Sequence, residues 1–170
     1  MDEIVIAVRP ALISDVEEIV EVHDAAWRSA YRGIIPGREL DRIVSRRGPR
    51  WWRNAILRGP GLLVFEFGGV VAGYVSFGRN RTKTSSYAGE IFELYVSPAH
   101  QGLGFGSLLF KGARRRLAEH GHDSMLVWAL ADNANALGFY RALGGKVVGE
   151  AEESFGAVTL KRVAFGFAKP

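Results

Sequence analysis

The chain has 170 residues and a mass of 18.7 kDa, which fits one domain spanning residues 1–170. Apolar residues make up 48% and charged residues 24%, a globular balance that excludes wholesale disorder. With no Cys, a disulfide scaffold, a Cys nucleophile, a Cys-ligated metal and a redox dithiol are all excluded. The 22 Lys+Arg against 18 Asp+Glu leave a net charge of +4, which suits anionic ligands without demanding nucleic acid. No apolar run approaches the ~20 residues that span a bilayer. The opening MDEIVIAVRP does not read as a signal peptide, so a cytoplasmic protein with no membrane partner is expected.

In chain order, the β-branched run Ile4–Val8 predicts a first strand. Ser14, with Glu17 three residues on, has the pattern of a helix N-cap and capping box. Val16, Ile19, Val20, His23, Trp27 and Ala30 then recur at helical spacing. The segment Tyr31–Gly37 breaks this helix. A short helix over Arg38–Val44, a basic turn over Ser45–Pro49 and a helical turn or two over Arg50–Leu57 follow. Leu62–Phe67 and Val70–Phe77 predict strands joined at Gly68-Gly69. Arg79–Tyr87 is polar and loop-like, and Glu90–Val96 predicts a third strand. After a glycine-rich turn, Phe105, Leu108, Leu109, Ala113 and Leu117 mark the buried stripe of a helix. Ser124–Ala129 predicts a strand, and Asn133–Leu143 a helix stopped by Gly144-Gly145. Lys146–Gly149 and Val158–Phe167 predict a last antiparallel pair. These elements imply an α/β (α+β) fold, a mixed sheet with helices on both faces.

The most informative stretch is Glu90 to Gly106, a strand, a glycine turn and a helix start. Glycines let backbone approach an anion closely, and a helix start offers unpaired N–H groups and a positive dipole end. A phosphate-bearing ligand is therefore expected here. A Walker A loop needs Gly-Lys-Ser/Thr, but Ser107 and Leu108 follow Gly106. The dinucleotide fingerprint after Gly102 and Gly104 needs a third glycine at position 107, which is Ser. What stands is Q-x-x-G-x-G, as Gln101, Gly104 and Gly106.

That motif resembles the pyrophosphate loop of the GNAT acetyltransferases. A second motif agrees: the N-x-x-A-x-x-F-Y-x-x-x-G common in that family is matched by Asn133, Ala136, Phe139, Tyr140 and Gly144. The two motifs lie in the family's order and at its separation. The likeness spans most of the chain and is weakest over Arg38–Gly61. One departure is Gly144-Gly145, where the family usually has Gly-Phe.

The resemblance implies a twisted, mostly antiparallel mixed sheet, splayed between the strands at 90–96 and 124–129. It implies direct acetyl transfer from acetyl-CoA to an amine, a small molecule before a protein. It implies cofactor contacts from Tyr95, Val96, Gln101, Gly102, Leu103, Gly104, Phe105, Gly106, Ser107, Asn133 and Tyr140. Tyr140 matches the tyrosine that points at the CoA sulfur, a general acid, against a reading as a packed core aromatic. Glu90 has the offset of the base in histone-type members, and Glu93 is its rival. Strand parity puts these two on opposite faces unless a bulge intervenes. A water chain could replace either. Asn133 is equally a helix N-cap. Trp27, Tyr31, Glu90 and the loop Arg32–Gly37 fall where the family builds its acceptor pocket, although Trp27 alone reads as core.

Other signals carry less. His120-Gly121-His122-Asp123 reads as a helix end, so no metal is expected, and His23 reads as a packed histidine. No G-x-S-x-G elbow exists. The basic runs Arg46-Arg47 and Arg114–Arg116 do not by themselves indicate nucleic acid. Two rivals remain: a catalytically inactive CoA-binding sensor or interaction module, and a nucleic-acid-associated protein. A homodimer pairing through the last strands is a further possibility.

Overall fold

A computed structural model describes residues 3–168. A seven-stranded sheet is formed by β1 (Ile6–Pro10), β2 (Leu62–Phe67), β3 (Val70–Arg79), β4 (Gly89–Val96), β5 (Met125–Leu130), β6 (Lys146–Phe155) and β7 (Val158–Phe167). Its order is β1-β2-β3-β4-β5-β7-β6. Every neighbouring pair is antiparallel except β4–β5. The helices are α1 (Val16–Tyr31), α2 (Gly37–Arg46), α3 (Pro49–Arg58), α4 (Phe105–Glu119) and α5 (Ala134–Ala142).

The period-2 alternation of β2 assigns the two layers. Leu63 and Phe65 pack with Phe105, Leu109 and Tyr140 of α4 and α5. Leu62 and Val64 pack with Ile19, Val22 and Trp52 of α1 and α3. A third cluster joins Tyr31, Ile35, Leu40 and Val44 to Leu130 and Phe155. It fastens the α1–α2 corner over the far half of the sheet.

Most expected elements are present, with corrections at their ends. The first strand is Ile6–Pro10, because that register brings Val8 opposite Phe65. Ser14 does not cap α1. Asp15 does the local work instead: its carboxylate accepts from the Leu12 N–H at 2.7 Å and from Arg9 at 2.8 and 2.9 Å. Leu108, expected in the buried stripe of α4, is exposed at 43%. The penultimate strand runs on to Phe155, since β6 pairs with β7 along its whole length.

Two irregularities position the site. The parallel β4–β5 ladder holds only at Gly89–Ile91 against Met125–Val127, so beyond Ile91 the edge of β4 facing β5 has no strand partner. The second is in the β3–β4 ladder. Ser76 pairs with Glu93 and Phe77 with Ile91, which leaves Phe92 as an extra residue. Such a bulge shifts side-chain parity by one, so Glu90 and Glu93 face the same side.

Candidate active site

Where β4 and β5 part, two cavities meet. One, of about 700 Å³, lies on the α4–α5 side, and the other, of about 910 Å³, lies on the α1–α3 side. Tyr31, Phe92, Glu93, Tyr95, Trp128 and Ala129 line both. These six form the wall that the two cavities share.

The smaller cavity is built on the glycine turn. Gly102 and Gly104 have φ of 80° and 84°, a region that L residues with a Cβ enter at a cost. A Cβ at either would meet nothing within 4 Å, so backbone conformation, and not crowding, selects glycine here. Gly104 caps α4, and the first helical amide to close is that of Leu108, on the Gly104 carbonyl at 3.4 Å. The amides of Phe105, Gly106 and Ser107 therefore have no helical acceptor and mark an anion site. Gly106 has a separate reason: a Cβ there would come within 3.1 Å of the Phe139 ring. Gln101 donates to the Val96 carbonyl at 3.1 Å, tying the loop to the end of β4.

Tyr140 lines the same cavity from α5 and is only 6% exposed. Its ring lies among Phe110, Phe139 and Phe165, and its hydroxyl has no hydrogen-bond partner among the described residues. Burial pushes its pKa well up, so it holds its proton at neutral pH. Asn133 caps α5, accepting from the Ala136 N–H at 3.2 Å, and lines the cavity as well.

On the other side, Glu90 and Glu93 have distinct environments. Glu90 accepts from the Arg81 N–H at 2.9 Å and from its guanidinium at 3.3 Å, which pins the loop after β3. Glu93 pairs with Arg47 from the end of α2 and accepts from the Tyr74 hydroxyl at 3.3 Å. Burial raises the Glu93 pKa, while Arg47 pulls it back. Tyr74 in turn meets His23 Nδ1 at 3.0 Å. Tyr31 and Tyr95 join through their hydroxyls at 2.7 Å, and Trp27 packs on both rings.

Nearly all the expected site residues fall on these two walls. Tyr95, Val96, Gln101, Gly102, Gly104, Phe105, Gly106, Ser107, Asn133 and Tyr140 line the smaller cavity. Trp27, Tyr31, Glu90 and Glu93 line the larger one. Leu103 lines neither and is 60% exposed. Trp27 is half-buried: it packs against the third cluster and also lines the larger cavity. Arg47, Tyr74, Trp128 and Arg162 were missed. Arg47 reads in sequence as a turn residue and finds Glu93 only through folding. Trp128 and Arg162 share one face by strand parity, which says nothing about a cavity. Among the described residues, no group of three His, Asp or Glu is placed to hold a metal, and no helix is long and apolar enough to cross a membrane.

A sheet opened at one strand pair, with an anion-binding turn on one side and a buried carboxylate on the other, suits a group transferase that works through a phosphate-bearing donor. Known proteins agree. The acetyltransferase (GNAT) family model matches residues 19–145. The uncharacterized N-acetyltransferase YuaI of Bacillus subtilis is 34% identical over 95% of this chain and 92% of its own. The L-methionine sulfoximine/L-methionine sulfone acetyltransferase of Salmonella typhimurium is 32% identical over 59% of this chain and 58% of its own. The crystal structure of PaiA N-acetyltransferase from Thermoplasma acidophilum, in complex with coenzyme A, superposes with a TM-score of 0.75. It is 20% identical and covers 93% of this chain and 98% of that one. The chain belongs to the GNAT acetyltransferase family, and by class it is an N-acetyltransferase.

Proposed function

We propose that the protein moves the acetyl group of acetyl-CoA directly onto the amine of a small molecule. The observation that carries this is the shared wall: the anion-binding turn lines the smaller cavity, and Glu93 of β4 lines both that cavity and the larger one where β4 and β5 part. The residues on the smaller cavity fit the donor. Free amides of Phe105–Ser107 suit its pyrophosphate, and the unpaired edge of β4 at Phe92–Val96 suits its amide-bearing arm. The donor supplies an activated thioester carbonyl.

Glu93 takes the proton that the attacking amine must lose. A free alkylamine has a pKa near ~10.4 and is mostly charged at neutral pH, so a base is required. A carboxylate with a raised pKa is closer to that task than an exposed one. Glu93 is favoured over Glu90 because it lines both cavities, whereas Glu90 lines the larger one alone. Tyr140 holds a proton at the donor side and delivers it to the departing thiolate as the new N–C bond forms and the C–S bond breaks. No covalent enzyme intermediate is needed. The small-molecule acceptor is supported by the aromatic wall of Trp27, Tyr31 and Tyr95 on the larger cavity and by the amino-acid analogues named for the Salmonella relative.

Calorimetric titration tests the donor. Micromolar binding of acetyl-CoA and CoA, with none of ATP, is expected, followed by thiol release with an amine panel. Absence of binding by either CoA species would overturn the reading.

A further inference from the structure

The acceptor cavity carries a charge pattern that the transfer chemistry does not use. Six arginines line it, Arg47, Arg58, Arg79, Arg81, Arg116 and Arg162, against three glutamates, Glu90, Glu93 and Glu153. Glu93 is already matched by Arg47 and Glu90 by Arg81. The remaining wall is strongly positive. An acceptor that is only a protonated amine is repelled by such a wall, and one that also bears an anion is drawn in.

Arg162 is the cation best placed to meet that anion. It stands on β7 opposite Leu130 of β5 and Ala151 of β6. Its guanidinium lies 4.3 Å from the centre of the Trp128 ring, and Trp128 belongs to the wall that both cavities share. Among the described residues Arg162 makes no ion pair. Its Nε is buried without a hydrogen-bond partner. A buried donor on a charged group is costly when unpaired, and a guanidinium can meet a carboxylate in two parallel hydrogen bonds.

Resting on the transfer reading above, we propose that the acceptor is an amino carboxylic acid, and that Arg162, stacked on Trp128, binds its carboxylate while the amine turns to Glu93. Arg162 is then a specificity-determining residue. Esters, amides and decarboxylated amines with the same side chain are poor acceptors, because they leave this cation unmatched.

The test is steady-state kinetics by thiol release over the common L-amino acids, each beside its amide or decarboxylated amine. Rates are compared at equal concentration of unprotonated amine. For the preferred side chain, the acid is expected to exceed its neutral counterpart at least 20-fold in kcat/KM, chiefly through KM. R162M is expected to bring that ratio near one, and R162K to keep part of it. Acetyl-CoA titration of each variant confirms that it is folded. A wild-type ratio near one, or a ratio that R162M leaves intact, overturns the proposal while leaving acetyl transfer standing. Acetyl-CoA binding with thiol release from none of the acids also overturns it. Failure to bind acetyl-CoA overturns the transfer reading and this proposal with it.

Discussion

At the scale of single residues, Glu93 and Tyr140 differ in what burial does for them. Burial raises both pKa values. For Tyr140 that keeps a proton in place, and for Glu93 it makes a better proton acceptor that must still be ionised to act. Activity should therefore fall as pH drops through the Glu93 pKa. Arg47 favours the ionised carboxylate, so R47M raises that pKa further. The acidic limb of the kcat/KM profile is expected to move up by about one pH unit, within the usual range for losing an adjacent opposite charge. A limb that stays still or moves down in the pH–rate profile would separate Glu93 from the proton transfer. Y140F should lower kcat by about 10²-fold, the lower end of what a general acid contributes. Calorimetry should show acetyl-CoA affinity nearly unchanged.

At the scale of elements, the glycine turn is a backbone device. G104A places a Cβ at a φ of 84°, a conformation that costs about 1–2 kcal/mol for an L residue. The loop relaxes from it most easily by turning its amides away. KM for acetyl-CoA is expected to rise about 10-fold with little change in kcat, and initial-rate kinetics decide it. The turn was legible in sequence because its conformation is written in residue type, as was the hairpin at Gly68-Gly69, where φ values are 60° and 82°. The two motifs on β4–α4 and α5 were legible through their resemblance to the GNAT family pattern. A bulge in this strand was foreseen only as the exception to strand parity, and its place at Phe92 was not legible, because it is set by how β3 aligns with β4 and not by any preference of Phe92. The shared face of Glu90 and Glu93 depends on that bulge. The Arg47–Glu93 pair joins residues 46 apart, and nothing local marks it. Asp15 displaced Ser14 at the start of α1 through Arg9, a tertiary partner that a capping pattern does not contain.

At the scale of the whole molecule, the α1–α3 layer is held to the sheet around a fully buried histidine. His23 is 0% exposed, packed against Trp27, Trp52 and Tyr74, and its pKa is lowered to about 4 by burial, with Arg47 adding to the effect. An unfolded His titrates near ~6.5, so between these values the unfolded chain binds a proton that the folded one refuses. Stability from neutral His23 is therefore full above about pH 6.5 and lost as pH falls toward 4, at roughly 1.4 kcal/mol per pH unit within the window. Glu93 acts in the opposite sense, because its raised pKa lets the folded chain take up a proton before the unfolded one does. The two separate by mutation. In H23Q the acid-side slope of unfolding free energy should shrink by most of that 1.4 kcal/mol per unit, even though H23Q starts less stable at pH 7 through the altered contact with Tyr74. In E93Q the same slope should steepen. Urea unfolding at half-unit steps from pH 4.5 to 7.5 reads both, and an unchanged slope in H23Q would show that the buried imidazole is not what ties this layer's stability to pH.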